Sequence, residues 1–192
     1  MWALPQTNLK RLLAYSGIAH IGYMLLGVAT VSPFGVAVVL FYLVAYVFAN
    51  MGAFLVVEAV AQAEGSTGVA AFRGLAQRSP LLALAMLLFL LSLGGIPFVA
   101  GFWAKLYVFW AAAEARLYGL VLLGAVLTVV ALFYYLLVAK QMYIDPPVTT
   151  APVEVPTALA LVILASALAI VLLGLYPRPL LDTALRAAAP LF

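Results

Sequence analysis

Residues 91–105 read LSLGGIPFVAGFWAK and interrupt an apolar segment that runs from about residue 80 to about residue 113. This segment is longer than the roughly 20 residues that one membrane span needs. Pro97 cannot donate a hydrogen bond to the carbonyl of Leu93, and Gly94 and Gly95 lower the cost of unwinding. The stretch therefore predicts a helix that breaks near mid-membrane, at Gly94 to Pro97. Such a break is common in ion pathways, and it is equally compatible with a packing kink.

The composition excludes a water-soluble domain. Of the 192 residues, 68% are hydrophobic and 8% are charged, whereas a soluble domain is about a quarter charged. We therefore expect an all-α, polytopic membrane helix bundle of about five transmembrane helices, forming a single transmembrane domain over residues 1–192. With no cysteine and one histidine, no metal site and no catalytic residue is predicted. The basic residues form no run that could follow a nucleic acid.

The hydrophobic runs and the residues between them predict where the helices lie. The polar stretch 62–79 is predicted to be a surface loop, and the proline-rich stretch after residue 144 an extended linker. The tail, residues 177–192, is expected to be short and either amphipathic along the membrane surface or extended. The predicted helices cover about 12–31, 34–61, 80–113, 117–143 and 157–176.

The basic residues predict the orientation, because cytoplasmic loops carry the excess of lysine and arginine. Five spans divide these residues unequally between the two sides, which favours a cytoplasmic N-terminus and a periplasmic C-terminus. One side has Lys10, Arg11, Arg73, Arg78 and Lys140, and the other has Arg116, Arg178 and Arg186.

Lys105 follows the break by about two helical turns, with aromatic and aliphatic neighbours on both sides. A charged lysine near the bilayer centre costs about 3 kcal/mol even on a lenient scale, so such a residue is seldom kept for packing. Because burial disfavours the charged form of an amine, the group can both hold and release a proton near neutral pH. Lys105 is therefore a candidate proton carrier. Two alternatives remain open, a side chain that snorkels to the outer surface and a static pair with a carboxylate.

His20 is a second candidate for the proton relay, because an imidazole can accept and pass a proton through its two ring nitrogens. A buried histidine is also often only hydrogen-bonded to a neighbouring carbonyl. Other polar residues could support a polar axis around the break, although bonds between helices, or an interfacial charge for Lys140, would also explain them. They are Ser16 and Tyr23 on the first helix, Tyr46 and Asn50 on the second, and Thr128, Tyr135 and Lys140 on the fourth.

Three segments of the chain have a recognisable order and spacing. Residues 7–23 (TNLKRLLAYSGIAHIGY), 78–80 (RSP) and 93–105 closely resemble the antiporter-like membrane subunits of respiratory complex I, the proton-pumping NADH-quinone oxidoreductase. The resemblance implies inverted helical repeats, each with a broken helix, and a polar axis across the membrane. It matches Lys105 to the lysine of the second broken helix, in the outward-side proton channel. His20 and Lys10 lie on matching segments.

The resemblance covers the C-terminal part of such a subunit, so we expect a fragment or the product of a split or shortened gene. It implies that NADH, FMN, iron–sulfur clusters and quinone are bound by partner subunits, and that this chain binds no cofactor. The partners would be antiporter-like and small quinone-side membrane subunits, lipid, protons and internal water, in a bacterial plasma membrane. The function that the resemblance implies is proton translocation as a membrane subunit of that oxidoreductase, with protons relayed through the buried lysine and water. A subunit of a multisubunit cation/proton antiporter or membrane-bound hydrogenase is one alternative. A non-conducting assembly or scaffold segment is another.

Overall fold

The structure is a computed structural model that describes residues 2–149 and 151–191. Within these residues every regular element is a helix and none is a strand, so the predicted all-α bundle is confirmed. The α-helices are α1 (Leu9–Val28), α2 (Pro33–Glu64), α3 (Leu75–Arg78), α4 (Pro80–Gly94), α5 (Ala100–Glu114), α6 (Tyr118–Tyr143), α7 (Thr157–Leu175) and α8 (Arg178–Ala188). Short 3-10 helices cover Val69–Phe72 and Ala189–Leu191.

Side-chain caps set the first helix boundaries. The side chain of Asn8 accepts a hydrogen bond from the backbone N–H of Arg11, so α1 begins at Leu9, earlier than the predicted residue 12. Ser32 accepts from the N–H of Gly35 and Pro33 occupies the first helical position, where its missing N–H costs nothing. The helix α1 ends at Val28 rather than at residue 31, since Val31 has a left-handed φ of 48°.

The third predicted span is broken where the sequence indicated. The helix α4 ends at Gly94 and α5 begins at Ala100, and both are too short to cross a membrane alone. The helices α1, α2, α6 and α7 are each long and apolar enough to cross a membrane. The helix α2, with 32 residues, is about 48 Å long at 1.5 Å per residue, so it extends beyond a hydrocarbon core of about 30 Å.

The stretch 62–79 is not the surface loop that was predicted. Its first residues extend α2 to Glu64, and Phe72, Leu75 and Arg78 are buried. The side chain of Arg78 forms an ion pair with Glu64 and donates to the carbonyl of Ala151 at 2.9 Å. The stretch therefore packs against one end of the bundle and contacts the proline-rich linker.

The helix α2 lies at the centre of the bundle and packs against α1, α4, α5, α7 and α8. The tail is helical in α8, where Ala184 and Ala188 pack on Ala37 of α2, so the extended alternative for the tail is wrong. Phe192 lies outside the described residues. Exposed apolar side chains such as Ile21, Leu122 and Leu172 cover the outside of the bundle, as a surface in lipid requires.

Candidate functional site

The end of α4 at the break is closed by backbone hydrogen bonds. Gly95 adopts a left-handed φ of 83°, which only glycine reaches without steric cost. Its N–H lies 3.0 Å from the carbonyl of Ser92, and the N–H of Ile96 donates to the carbonyl of Leu91 at 3.0 Å. This is the Schellman arrangement, which satisfies the carbonyls of Leu91 and Ser92. The carbonyls of Leu93 and Gly94 are left for another donor.

Lys105 supplies that donor. Its Nζ donates to the carbonyl of Leu93 at 2.9 Å and to the carbonyl of Gly94 at 3.0 Å. The residue is 5% exposed, so its side chain turns inward and does not snorkel. No described aspartate or glutamate forms an ion pair with it. A cation at the C-terminal end of a helix is favoured by the helix dipole, so α4 stabilises the charged amine without a carboxylate.

An aromatic ring covers the amine on the side of α1. Nζ of Lys105 lies 5.0 Å from the centroid of the Tyr23 ring, within the range of a cation–π interaction. The hydroxyl of Tyr23 lies 3.1 Å from the hydroxyl of Thr128 on α6. Tyr23 is thus brought next to the predicted proton carrier, and Thr128 contacts Tyr23.

His20 has a hydroxyl partner at each ring nitrogen. Nδ1 lies 2.8 Å from the hydroxyl of Tyr42 and Nε2 lies 3.3 Å from the hydroxyl of Tyr135. The ring of Tyr46 is 4.9 Å from the imidazole, centroid to centroid. Since a phenol can donate and accept, Tyr42, His20 and Tyr135 form a chain of exchangeable protons across three helices. The simpler alternative of a bond to a backbone carbonyl is not what the structure has.

A small cavity lies between the His20 cluster and the break. Its volume is about 10 Å³, about the least that holds one water molecule. It is lined by His20, Tyr42, Tyr46 and small residues of α2 on one side, and by Ser92, Leu93, Gly101 and Ala104 on the other. The cavity thus connects His20 with Leu93, whose carbonyl accepts the hydrogen bond from Lys105.

The other three predicted support residues form no hydrogen bond with Lys105 or His20 among the described residues. Ser16 is buried but donates to the carbonyl of Leu13 in its own helix at 2.7 Å. The Oδ1 of Asn50 is buried and has no hydrogen-bond partner among the described residues. Lys140 is exposed at the far end of α6, and its Nζ lies 3.8 Å from a carboxylate oxygen of Asp145.

The sequence did not identify two parts of the site as such. The carbonyls of Leu93 and Gly94 carry no side-chain signal, although Pro97 indicates that the first of them lacks its helical partner. Tyr42 shares a stripe with Tyr46 and Asn50 at i+4 spacing, and that spacing alone does not show that it faces His20.

Residues 1–131 match the family described as NADH:quinone oxidoreductase/Mrp antiporter, TM. The chain belongs to this family. The matched residues include every residue of the site described above except Tyr135, which lies beyond residue 131. The resemblance drawn from residues 7–23, 78–80 and 93–105 is thereby confirmed.

Relatives in the family span more than this chain does. NADH-quinone oxidoreductase subunit N of Moorella thermoacetica is 46% identical over 191 residues, which are 99% of this chain and 40% of that protein. A chain of respiratory complex I from Thermus thermophilus with bound aureothin has 37% identity and a TM-score of 0.82, covering 94% of this chain and 41% of its own length. A chain of the Mrp complex from Dietzia sp. DQ12-45-1b has 26% identity and a TM-score of 0.89, covering 97% and 43%. The chain thus spans about 40% of the length of the relatives that it matches.

Proposed function

We propose that this chain is a proton-translocating membrane segment of a proton-pumping NADH-quinone oxidoreductase. The supporting observation is that the Lys105 amine is 5% exposed and donates to two backbone carbonyls, with no described carboxylate as its partner. An ion pair would fix the charge on the amine, whereas carbonyl dipoles stabilise it less strongly. A modest change in the surrounding charge can therefore load or unload the proton.

In the proposed relay the proton binds to the free electron pair of neutral Lys105 and later leaves from the ammonium. His20 extends the path, since its nitrogens lie at hydrogen-bond distance from Tyr42 and Tyr135. Water in the small cavity beside Ser92 and Leu93 would join the two groups during turnover. In this proposal the energy comes from partner subunits that carry out the NADH and quinone chemistry.

The proposed surroundings follow the same reasoning. We place the chain in a bacterial plasma membrane among antiporter-like and small quinone-side membrane subunits, with its N-terminus cytoplasmic and its C-terminus periplasmic. The end of the bundle with Lys10, Arg73, Arg78 and Lys140 has ion pairs to Glu58, Asp145 and Glu64. That end is the one with the excess of basic residues, which supports its cytoplasmic placement.

A subunit of a cation/proton antiporter is the second candidate function. The likeness to the Mrp complex supports it, since that TM-score, 0.89, exceeds the 0.82 of the complex I chain. Sequence identity favours the oxidoreductase, at 46% against 26%. The antiporter function predicts sodium-stimulated proton movement without NADH, which vesicles with an imposed sodium gradient would reveal.

The test of the proposed function is Lys105→Ala in the assembled complex, measured as protons moved per NADH oxidised in inverted membrane vesicles. We expect a clear fall in this ratio, because proton transfer through a positioned group is typically worth about 10²-fold or more in rate. Arg186→Ala is the matched control, since Arg186 is an exposed cation on α8. An unchanged ratio in assembled Lys105→Ala would reject the relay and would favour the scaffold alternative.

A further inference from the structure

The two halves of the broken helix are joined by hydrogen bonds in both directions. Lys105 of α5 donates to the last carbonyls of α4, at Leu93 and Gly94. In return, the side-chain oxygen of Ser92 on α4 accepts from the backbone N–H of Gly101, in the first turn of α5, at 3.1 Å. Each half therefore satisfies the open end of the other.

The start of α5 needs this bond because it lacks a cap of its own. The N-cap residue is Val99, whose side chain has no oxygen to accept from the first-turn N–H groups. Ser92 is 1% exposed, so its hydroxyl is held inside the bundle and supplies an acceptor from nine residues away. A Cβ at position 101 would run into the Ser92 carbonyl oxygen, so the close approach depends on glycine.

The same bond sets the position of Lys105. Gly101 and Lys105 are four residues apart on one helix, so they lie on the same face, one turn apart. Ser92 and Leu93 are neighbours on α4. When the Ser92 bond fixes the first turn of α5 against the last turn of α4, it also fixes how far the Lys105 amine reaches toward the Leu93 and Gly94 carbonyls.

We propose that Ser92 is a positioning residue for proton transfer: by capping α5 through Gly101, it holds the Lys105 amine beside the Leu93 and Gly94 carbonyls, the position in which the amine exchanges its proton with water. This inference rests on the proposed function of Lys105. Without the bond, the first turn of α5 frays, the amine spends less time at the carbonyls, and proton transfer becomes slower while the bundle stays assembled.

The test compares Ser92→Ala, Ser92→Cys and Ser92→Thr in the assembled complex, by protons moved per NADH oxidised and by the initial rate of proton uptake. Threonine keeps a hydroxyl, cysteine is a weaker acceptor, and alanine has none. We expect the uptake rate to fall roughly 5-fold in Ser92→Ala, the ratio to which one lost hydrogen bond of about 1 kcal/mol corresponds. Threonine should restore most of the rate, with cysteine between. Equal rates in the alanine and threonine variants would overturn the proposal.

A second comparison separates this inference from the function on which it rests. If Ser92 acts through Lys105, the double variant with Ser92→Ala and Lys105→Ala should have the same rate of coupled NADH oxidation as Lys105→Ala alone. Effects that multiply would mean that Ser92 acts independently, and the positioning role would be rejected. Normal pumping in Ser92→Ala with defective pumping in Lys105→Ala rejects the positioning role alone. Normal pumping in Lys105→Ala rejects the proposed function itself.

Discussion

The amine of Lys105 lies 2.9 Å from the carbonyl oxygen of Leu93, the acceptor that would bond to residue 97 in an unbroken helix. Residue 97 is a proline and has no N–H to give. The break and the buried lysine are therefore one feature, since the carbonyl that the proline leaves without a donor is bound by the lysine. A helix end at this depth must be satisfied within the protein, and a charged donor satisfies it more strongly than a neutral one.

The first prediction concerns Gly95, whose left-handed backbone directs any side chain toward the lysine. A Cβ there would lie 2.8 Å from Cδ and 3.4 Å from Nζ of Lys105. Gly95→Ala should lower the free energy of unfolding by about 1–2 kcal/mol, because alanine disfavours the left-handed backbone at this position. The added Cβ should also displace the Lys105 amine. We expect a lower thermal midpoint of the purified complex and fewer protons per NADH.

Gly119→Ala is the matched control for that substitution. Nothing lies within 4 Å of a Cβ added at Gly119, and this glycine is not among those with a positive φ. Equal pumping in the two variants would mean that the position of the Lys105 amine does not matter for proton transfer.

The second prediction concerns His20 and its two hydroxyl partners. His20→Phe keeps an aromatic ring but removes both nitrogens, which leaves Tyr42 and Tyr135 without this partner. If His20 extends the relay, protons per NADH should fall by more than the loss of assembled complex explains. Tyr118→Phe, which changes an exposed tyrosine, serves as the control. Lower thermal stability with an unchanged ratio would assign His20 a structural role.

The third prediction tests the end of the bundle. Arg78 has a side chain that is 3% exposed and pairs with Glu64. Arg78→Met should lower the free energy of unfolding by about 3–5 kcal/mol, because it leaves a partly buried carboxylate without its partner. Lys10→Met removes a pair whose side chains are 43% and 44% exposed, and should lower the free energy of unfolding far less, because water screens an exposed ion pair. Thermal inactivation of the purified complex distinguishes them, and similar midpoints would contradict the buried pair.

The sequence predicted the fold well because local signals set most of the boundaries. Ser32, Pro80 and the Gly94–Gly95 pair fix helix ends through caps and backbone conformation, which depend on neighbouring residues. The docking of α8 was not predictable in this way, because Ala184 and Ala188 carry no signal that they pack on α2. The same applies to the stretch 62–79, whose polar residues hide the buried Phe72 and Leu75.

The sequence indicated which residues are candidates for the site, but it did not indicate which groups they contact. The cost of burying a charge identified Lys105, and the chemistry of imidazole identified His20. Their partners come from other helices or from the backbone, as with Tyr135 for His20 and the Leu93 carbonyl for Lys105. Helical periodicity predicts which residues share a face of a helix. The residues that this face contacts are determined by tertiary packing, which periodicity does not predict. Lys140 was compatible with either the polar axis or an interfacial charge, and its position beside Asp145 agrees with the interfacial charge.

The proposed relay requires that a proton leave and rejoin the Lys105 amine, and Lys105→Arg tests this requirement most directly. Arginine keeps the positive charge and the donors for the Leu93 and Gly94 carbonyls, but it does not lose its proton in proteins. The measurement is protons moved per NADH oxidised by assembled complex in inverted membrane vesicles. The relay predicts normal assembly with a ratio as low as in Lys105→Ala. A ratio equal to that of the unmodified complex would contradict it.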